Sequence, residues 1–256
     1  MRKRLHYDWH WVWNTGNGDL GNQGIHEMDV ARWFLGVMEL SPRVLSVGGR
    51  LGYVDDGETP NTMAILHDYP DAPLIFEVRG LPRGKDSQSM DNYKGAGIGI
   101  VIECEGGHVT VPSYSSATAY DKEGRTIQKW SGEEDHYANF IKAVRSRRTE
   151  DLNADILEGH LSSALCHTGN ISYRLGAKQD PGAIKDAIRA DSGLAEACDR
   201  MAEHLGLNGV DLSAERATLG VPLRMDPKTE RFVGNDAANA LVTRAYRAPF
   251  VVPEKV

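Results

Sequence analysis

WNTGNGDLGNQGIHEMDVARW, residues 13–33, holds Gly16, Gly18 and Gly21 in the spacing G-x-G-x-x-G. Read as a dinucleotide loop, it would open a doubly wound parallel sheet; read otherwise, it leads into a helix that presents polar side chains. The dinucleotide reading needs an apolar strand before the glycines, a helix N-terminus facing the pyrophosphate, and an acid about 20 residues on, at the end of the next parallel strand. The run before the glycines is DWHWVW, residues 8–13, bulky and partly polar where a central parallel strand favours Val and Ile. Glu39 falls before the next β-like run, and Asp55 and Asp56 come after it. The helix reads from Asn22 as N-cap to about Leu35, with Gly36 as its stop, so it starts after the third glycine. The glycines therefore read as positions of close backbone or ligand approach.

On that helix Asn22, His26, Asp29 and Trp33 recur at i, i+4, i+7 and i+11, which puts an amide, an imidazole and a carboxylate on one stripe. His26, Asn22 and Asp29 are accordingly the candidate catalytic residues. The same stripe also fits a plainer arrangement, a capping Asn22 and a core histidine bonded to Asp29.

Beyond Gly36 the chain turns β-rich. Residues 43–54, 59–69, 73–81, 97–106 and 108–113 are short β-branched runs separated by DDG, YPDAP and EGG, and YSSATAYD and GRTIQKW add one more strand pair. Strands this close, without helices between them, indicate an antiparallel meander. The period then changes. Tyr137, Phe140, Ile141 and Val144, and later Ile156, Leu157, Leu161, Leu165 and Ile171, recur at helical spacing, which predicts two helices packed on the sheet. Residues 177–256 read as a more exposed helical segment and a proline-punctuated extended tail. The fold class is α+β: an open, mostly antiparallel sheet with helices packed on one face.

With 256 residues, 41% of them hydrophobic, the chain can bury a substantial core. A net charge of -7 and only two short basic clusters, residues 1–4 and 145–148, do not make a nucleic-acid footprint. Cys104, Cys166 and Cys198 lack C-x-x-C pairing and read as buried reduced thiols, not as a disulfide framework or a zinc site. No apolar run approaches the roughly 20 residues of a membrane span and no apolar core follows the basic start, so the default location is cytoplasmic, with no membrane partner.

The motifs together resemble the Gfo/Idh/MocA oxidoreductases, specifically their C-terminal domain in a bacterial branch. The resemblance runs through GNGDLGNQGIHEMDVARW, DDGETPNT, FEVRGL, DHYANFIKAVRSR, DLNADILEGHLSSALCHTGNISYRLG, DPKTERFVG and ANALVTRAYRAPFVVP, almost the whole chain. It implies that residues 1–256 are a substrate and oligomerisation domain. It also implies that the N-terminal Rossmann domain of full-length members, with its glycine fingerprint and Glu-Lys-Pro lysine, is not in this sequence. NAD or NADP is the cofactor implied for the family, not expected to be bound by this chain alone. The family's helix carries Asp-x-x-x-His, the histidine serving as acid or base for a substrate hydroxyl; here His26 takes the histidine position and Asn22 the aspartate position. An amide cannot ionise, so Asp29 or the absent lysine must supply the charge.

The implied partners are a sugar or polyol and a second copy of the chain in a homodimer or higher homo-oligomer. Sugar recognition uses aromatic faces and planar polar groups, and Trp9, His10, Trp13, Gln23, Arg79, His136, Asn170 and Arg174 are the available stock. Plainer roles exist for most: Trp13 as core, Arg79 paired with an acid, Asn170 and Arg174 on a helix surface. Two other functions compete with the oxidoreductase domain. One is a non-catalytic carbohydrate-binding or dimerisation module. The other is a metal-dependent hydrolase using His6, Asp8 and His10, although no second group at ligand spacing completes that set and no metal site is assigned.

Overall fold

The computed structural model describes residues 8–253. A 3-10 turn at Asp8–Trp11 leads to a short helix α1 (Gly18–Asn22) and then α2 (Gly24–Leu35), joined through Gln23. The helical stretch thus begins at the second glycine, not at Asn22, and Asn17 and Gln23 rather than Asn22 occupy the N-cap positions. Gly36 stops α2 as expected, in the left-handed conformation at φ 65°.

Strands β1 (Arg43–Gly49), β2 (Thr62–His67) and β3 (Leu74–Arg79) pair antiparallel in sequence order, with Val44 opposite His67 and Thr62 opposite Arg79. They form one side of a seven-stranded sheet, with β3 at its edge. The outer meander, β4 (Ile100–Cys104), β5 (Gly107–Ser113), β6 (Ser116–Asp121) and β7 (Thr126–Ser131), makes a separate four-stranded sheet. The antiparallel α+β class and all seven of these strands lie where the β-branched runs place them.

Two helices follow, α3 (His136–Ser146) and α4 (Ile156–Arg174), then β8 (Ala177–Lys178), α5 (Pro181–Ile188) and α6 (Ser192–Leu207). The chain closes with β9 (Thr218–Leu219), β10 (Leu223–Asp226), β11 (Arg231–Phe232) and α7 (Asp236–Ala240). Residues 177–256 are thus more than a helical segment and a tail: β8 to β11 extend the larger sheet, with β9 and β10 hydrogen-bonded to β1.

Side chains alternate across β2. Met63 and Ile65 join the core under α2 and α4, whereas Ala64 and Leu66 join a second core under α5 and α6. Of the two later helices expected on one face, α4 packs there, beside α2, and α5 with α6 adds a layer on the other face. Three close approaches hold this sandwich: a Cβ on Gly24, Gly169 or Gly193 would meet Phe76, Ile65 or Ile75, so α2, α4 and α6 ride directly on the sheet. The expected packing of α3 does not occur. Tyr137, Phe140, Ile141 and Val144 remain exposed, because β7 at the edge of the outer sheet delivers the chain away from both cores. Of the thiols, Cys166 and Cys198 are buried, with pKa values pushed up to about 12 by burial, while Cys104 is exposed, contrary to expectation.

His67 is fully buried at the end of β2, and among the described residues neither ring nitrogen has a hydrogen-bond partner. Burial pushes its pKa down to about 3. The unfolded chain, with an ordinary histidine near 6.5, binds the proton first, so stability is complete above pH 6.5 and falls between there and pH 3. Urea titrations should show the His67 contribution to the folding constant falling about tenfold per pH unit in that window, and His67→Leu should remove that part of the slope. An unchanged slope in the variant would contradict this.

Candidate functional site

The glycine loop is filled by the protein itself. A Cβ on Gly16 would lie 2.4 Å from His10 Cα, and one on Gly21 would lie 2.0 Å from Asn17 Nδ2. Gly18, at φ +74°, faces Thr59 Oγ1 at 3.0 Å. These glycines let α1 pack against the turn at Asp8–Trp11 and the strand entry at Thr59; they leave no cradle for a pyrophosphate, and a turn stands where the fingerprint needs a strand. The loop does not fit a nicotinamide dinucleotide. His10 belongs to this joint: it is buried, with Nε2 3.3 Å from Asp19 Oδ1. Burial raises the Asp19 carboxyl, and His10 and Arg50 oppose that shift. Among the described residues no three His, Cys, Asp or Glu groups converge as metal ligands; His6 lies outside them.

A cleft of about 300 Å³ opens between α2 and the outer sheet. Val30, Ile98, Ile100, Val111 and Pro112 give it apolar walls, and Gln23, Glu27, Ser113 and Tyr114 give it polar groups. Tyr114 comes from the turn between β5 and β6 and is 67% exposed; its hydroxyl donates to Glu27 Oε1 at 3.1 Å and accepts from Gln23 Nε2 at 2.5 Å. Gln23 also reaches Glu27 Oε1 and Oε2 at 3.3 and 3.4 Å. Glu27 itself is only 6% exposed. Desolvation first, and then the Glu27 carboxylate, hold the Tyr114 phenol above its usual range, so it acts as a neutral hydroxyl. His26 is exposed, its ring 5.6 Å from that of Tyr114.

The structure therefore brings Gln23 and His26 together at one cleft and adds Glu27 and Tyr114, which the sequence reading did not select. The i, i+4 spacing of Gln23 and Glu27 was available as a signal. Nothing local in PSYSS marks Tyr114, which is 87 residues from Glu27 and arrives through the sheet topology.

The other candidates are placed apart. Asp29 is engaged with α4, its Oδ1 accepting from Ser162 Oγ at 2.7 Å and from Arg32 Nη2 at 3.3 Å. Asn22 closes α1 and is separated from α2 by Gln23. Asn170 is 3% exposed, not on a helix surface, and its amide donates to the Asn17 carbonyl at 3.0 Å, tying α4 to the start of α1. Arg174 lies over the Trp13 ring at 5.0 Å, and Trp9 is half exposed beside His10. Arg79 points to the opposite face of the sheet, where it pairs with Asp91 and Glu77. His136 opens α3, its ring against Tyr137.

No family model matches the chain, and no curated protein matches it. Among solved structures, a candidate oxidoreductase from Thermotoga maritima is similar at 18% identity and a TM-score of 0.48, covering 62% of this chain and 46% of that one. The WlbA dehydrogenase from Bordetella pertussis, in complex with NADH and UDP-GlcNAcA, is similar at 21% identity and a TM-score of 0.41, covering 64% and 46%. A candidate oxidoreductase from Klebsiella pneumoniae covers 88% of this chain and 53% of its own, at 13% identity and a TM-score of 0.40. The chain spans about half the length of these proteins. At such values the likeness concerns part of the chain trace and assigns no residue a role. Among the described residues no helix is long and apolar enough to cross a membrane.

Proposed function

We propose that this chain is the substrate-binding domain of an NAD(P)-dependent oxidoreductase that acts on a sugar or polyol hydroxyl. The observation that carries the reading is the cleft beside α2: a buried Glu27 carboxylate, the Tyr114 hydroxyl and the Gln23 amide set among apolar walls, with His26 at its rim. Carbohydrates offer apolar ring faces and multiple hydroxyls, and that combination of surfaces is what binds them. Sequence resemblance to the Gfo/Idh/MocA C-terminal domain supports the same assignment.

At the rim of the cleft, beside Tyr114, the His26 imidazole is the side chain we assign to take and return the proton of a substrate hydroxyl. Asp29, held by Ser162 and Arg32, serves the joint between α2 and α4 and orients that helix. The nicotinamide cofactor supplies hydride acceptance. Because the glycine loop is filled, NAD or NADP is assigned to a separate nucleotide-binding unit.

A homo-oligomer belongs to the same proposal. Ile127 and Trp130 on β7 and the Tyr137, Phe140, Ile141 and Val144 stripe on α3 are exposed, and the α3 stripe is an apolar helix face that a second copy would cover.

Calorimetric titrations of the full chain with a panel of methyl hexopyranosides and, separately, with NADH test the assignment. Saturable sugar binding without NADH binding is expected, and light scattering on the same samples should report a dimer. NADH binding that Gly16 or Gly18 substitutions abolish would overturn the reading of the loop, and absence of any sugar binding would remove the function.

A further inference from the structure

Glu27 is buried without a cation. No Lys, Arg or His lies within ion-pair distance of it among the described residues, and its donors are the neutral Tyr114 hydroxyl and Gln23 amide. An ionised carboxylate offers about four acceptor sites. Tyr114 fills one on Oε1 at 3.1 Å, and the Gln23 amide, already donating to Tyr114 at 2.5 Å, reaches both oxygens only at 3.3 and 3.4 Å. Oε2 receives nothing but the longest of these bonds.

Glu27 lines the cleft, so the acceptor capacity that Tyr114 and Gln23 leave over faces whatever ligand sits there. The cleft decides its kind. Its walls at Val30, Ile98, Ile100 and Val111 are apolar, so the ligand that completes Glu27 must carry donors on a largely apolar frame. Two hydroxyls on adjacent carbons meet that demand, because they can donate in parallel to the two oxygens of one carboxylate while the carbon skeleton covers the apolar wall. Tyr114, on an exposed turn, can then shift its hydroxyl from Glu27 to the same ligand.

We infer that Glu27 is the specificity-determining residue of the cleft and that it takes a vicinal diol of the sugar or polyol, with Tyr114 as the second contact. This rests on the cleft being the substrate site, and it separates the recognition of hydroxyls by Glu27 from proton handling by His26. Such an arrangement rejects analogues that lack one of the two hydroxyls, because the buried acceptor is then left unpaired.

Calorimetry on the full chain, as parent, Glu27→Gln and Tyr114→Phe, tests this with methyl hexopyranosides, their monodeoxy counterparts and the matching amino sugars. In the parent, removing one hydroxyl of the bound pair should weaken binding at least about tenfold. Glu27→Gln should reduce that discrimination to about threefold or less while far-UV circular dichroism and the melting temperature show a folded chain. Tyr114→Phe, on a solvent-facing turn, should weaken every glycoside by a similar smaller factor and keep the diol preference. A Glu27→Gln chain that still prefers the diol tenfold would overturn the inference but not the sugar-binding function. So would an amino sugar that outcompetes its hydroxyl parent and loses that advantage in Glu27→Gln, which would assign Glu27 to a cation. A parent chain that binds none of these glycosides would bring down the function and the inference together.

Discussion

Replacing Arg32 with alanine is expected to destabilise the chain by about 3–5 kcal/mol, toward the lower end of that range. Arg32 is 1% exposed, yet its guanidinium is fully used. Nη2 pairs with Asp29 and Glu158, Nη1 donates to the Val37 carbonyl at 2.9 Å, and Nε reaches Ser162 Oγ at 3.3 Å. One side chain thereby fastens the last turn of α2, the segment after it and the first turns of α4. Truncation would leave a cavity and two carboxylates without their cation. Asp29 and Glu158 keep partial contact with water, which is why the lower end is expected. Urea unfolding of Arg32→Ala and of the double variant Arg32→Met with Glu158→Gln measures this: the double variant should recover part of the loss, since a filled apolar site with fewer uncompensated charges is less costly. A loss under about 1 kcal/mol in Arg32→Ala would mean the network is ordinary surface pairing.

Gly16→Ala separates the two readings of the glycine motif. Its Cβ would sit 2.4 Å from His10 Cα and 2.8 Å from the His10 carbonyl oxygen, both backbone atoms that no rotamer change can move. Relief requires shifting the turn at Asp8–Trp11 away from α1, and overpacking of this kind costs about 1–3 kcal/mol, with the upper end expected against backbone. The variant should lose stability in urea by that amount and show no change in its response to NADH. Unaltered stability together with a lost nucleotide response would restore the phosphate-loop reading.

Much of the fold was legible because its local signals are strong. β1 to β7 follow β-branched runs closed by turn residues, and α3 and α4 follow helical spacing. The second layer of helices was harder to see, although a trace was present. Thr62–His67 reads TMAILH, apolar at both parities, and a strand covered on both faces has that pattern rather than alternation. For α3 the amphipathic stripe correctly marked a helix, but periodicity does not say what covers the apolar face. The start of the helical stretch was misjudged because Gly18 and Gly21, poor helix formers, are retained there for close packing.

The site was legible in part for a similar reason. His26 lies on a helix whose period orders its side chains and Gln23 sits at that helix's N-cap, whereas the Tyr114 partner of Glu27 depends on how the outer sheet returns to α2. Asp29 and Asn170 looked like site residues since polar groups on helix faces are ambiguous: each binds a partner on another element, Ser162 for Asp29 and the Asn17 carbonyl for Asn170.

The central claim, that the polar chemistry of α2 serves a hydroxyl-bearing ligand and its glycine approach does not serve a nucleotide, is tested most directly by the paired titrations, read by amide chemical shifts. A bound methyl hexopyranoside should give saturable shifts at Gln23, His26, Glu27, Val30 and Val111–Tyr114, and NADH none in the loop at Gly16–Gly21. Saturable NADH shifts in that loop, with the α2 cleft silent to every sugar, would contradict the claim.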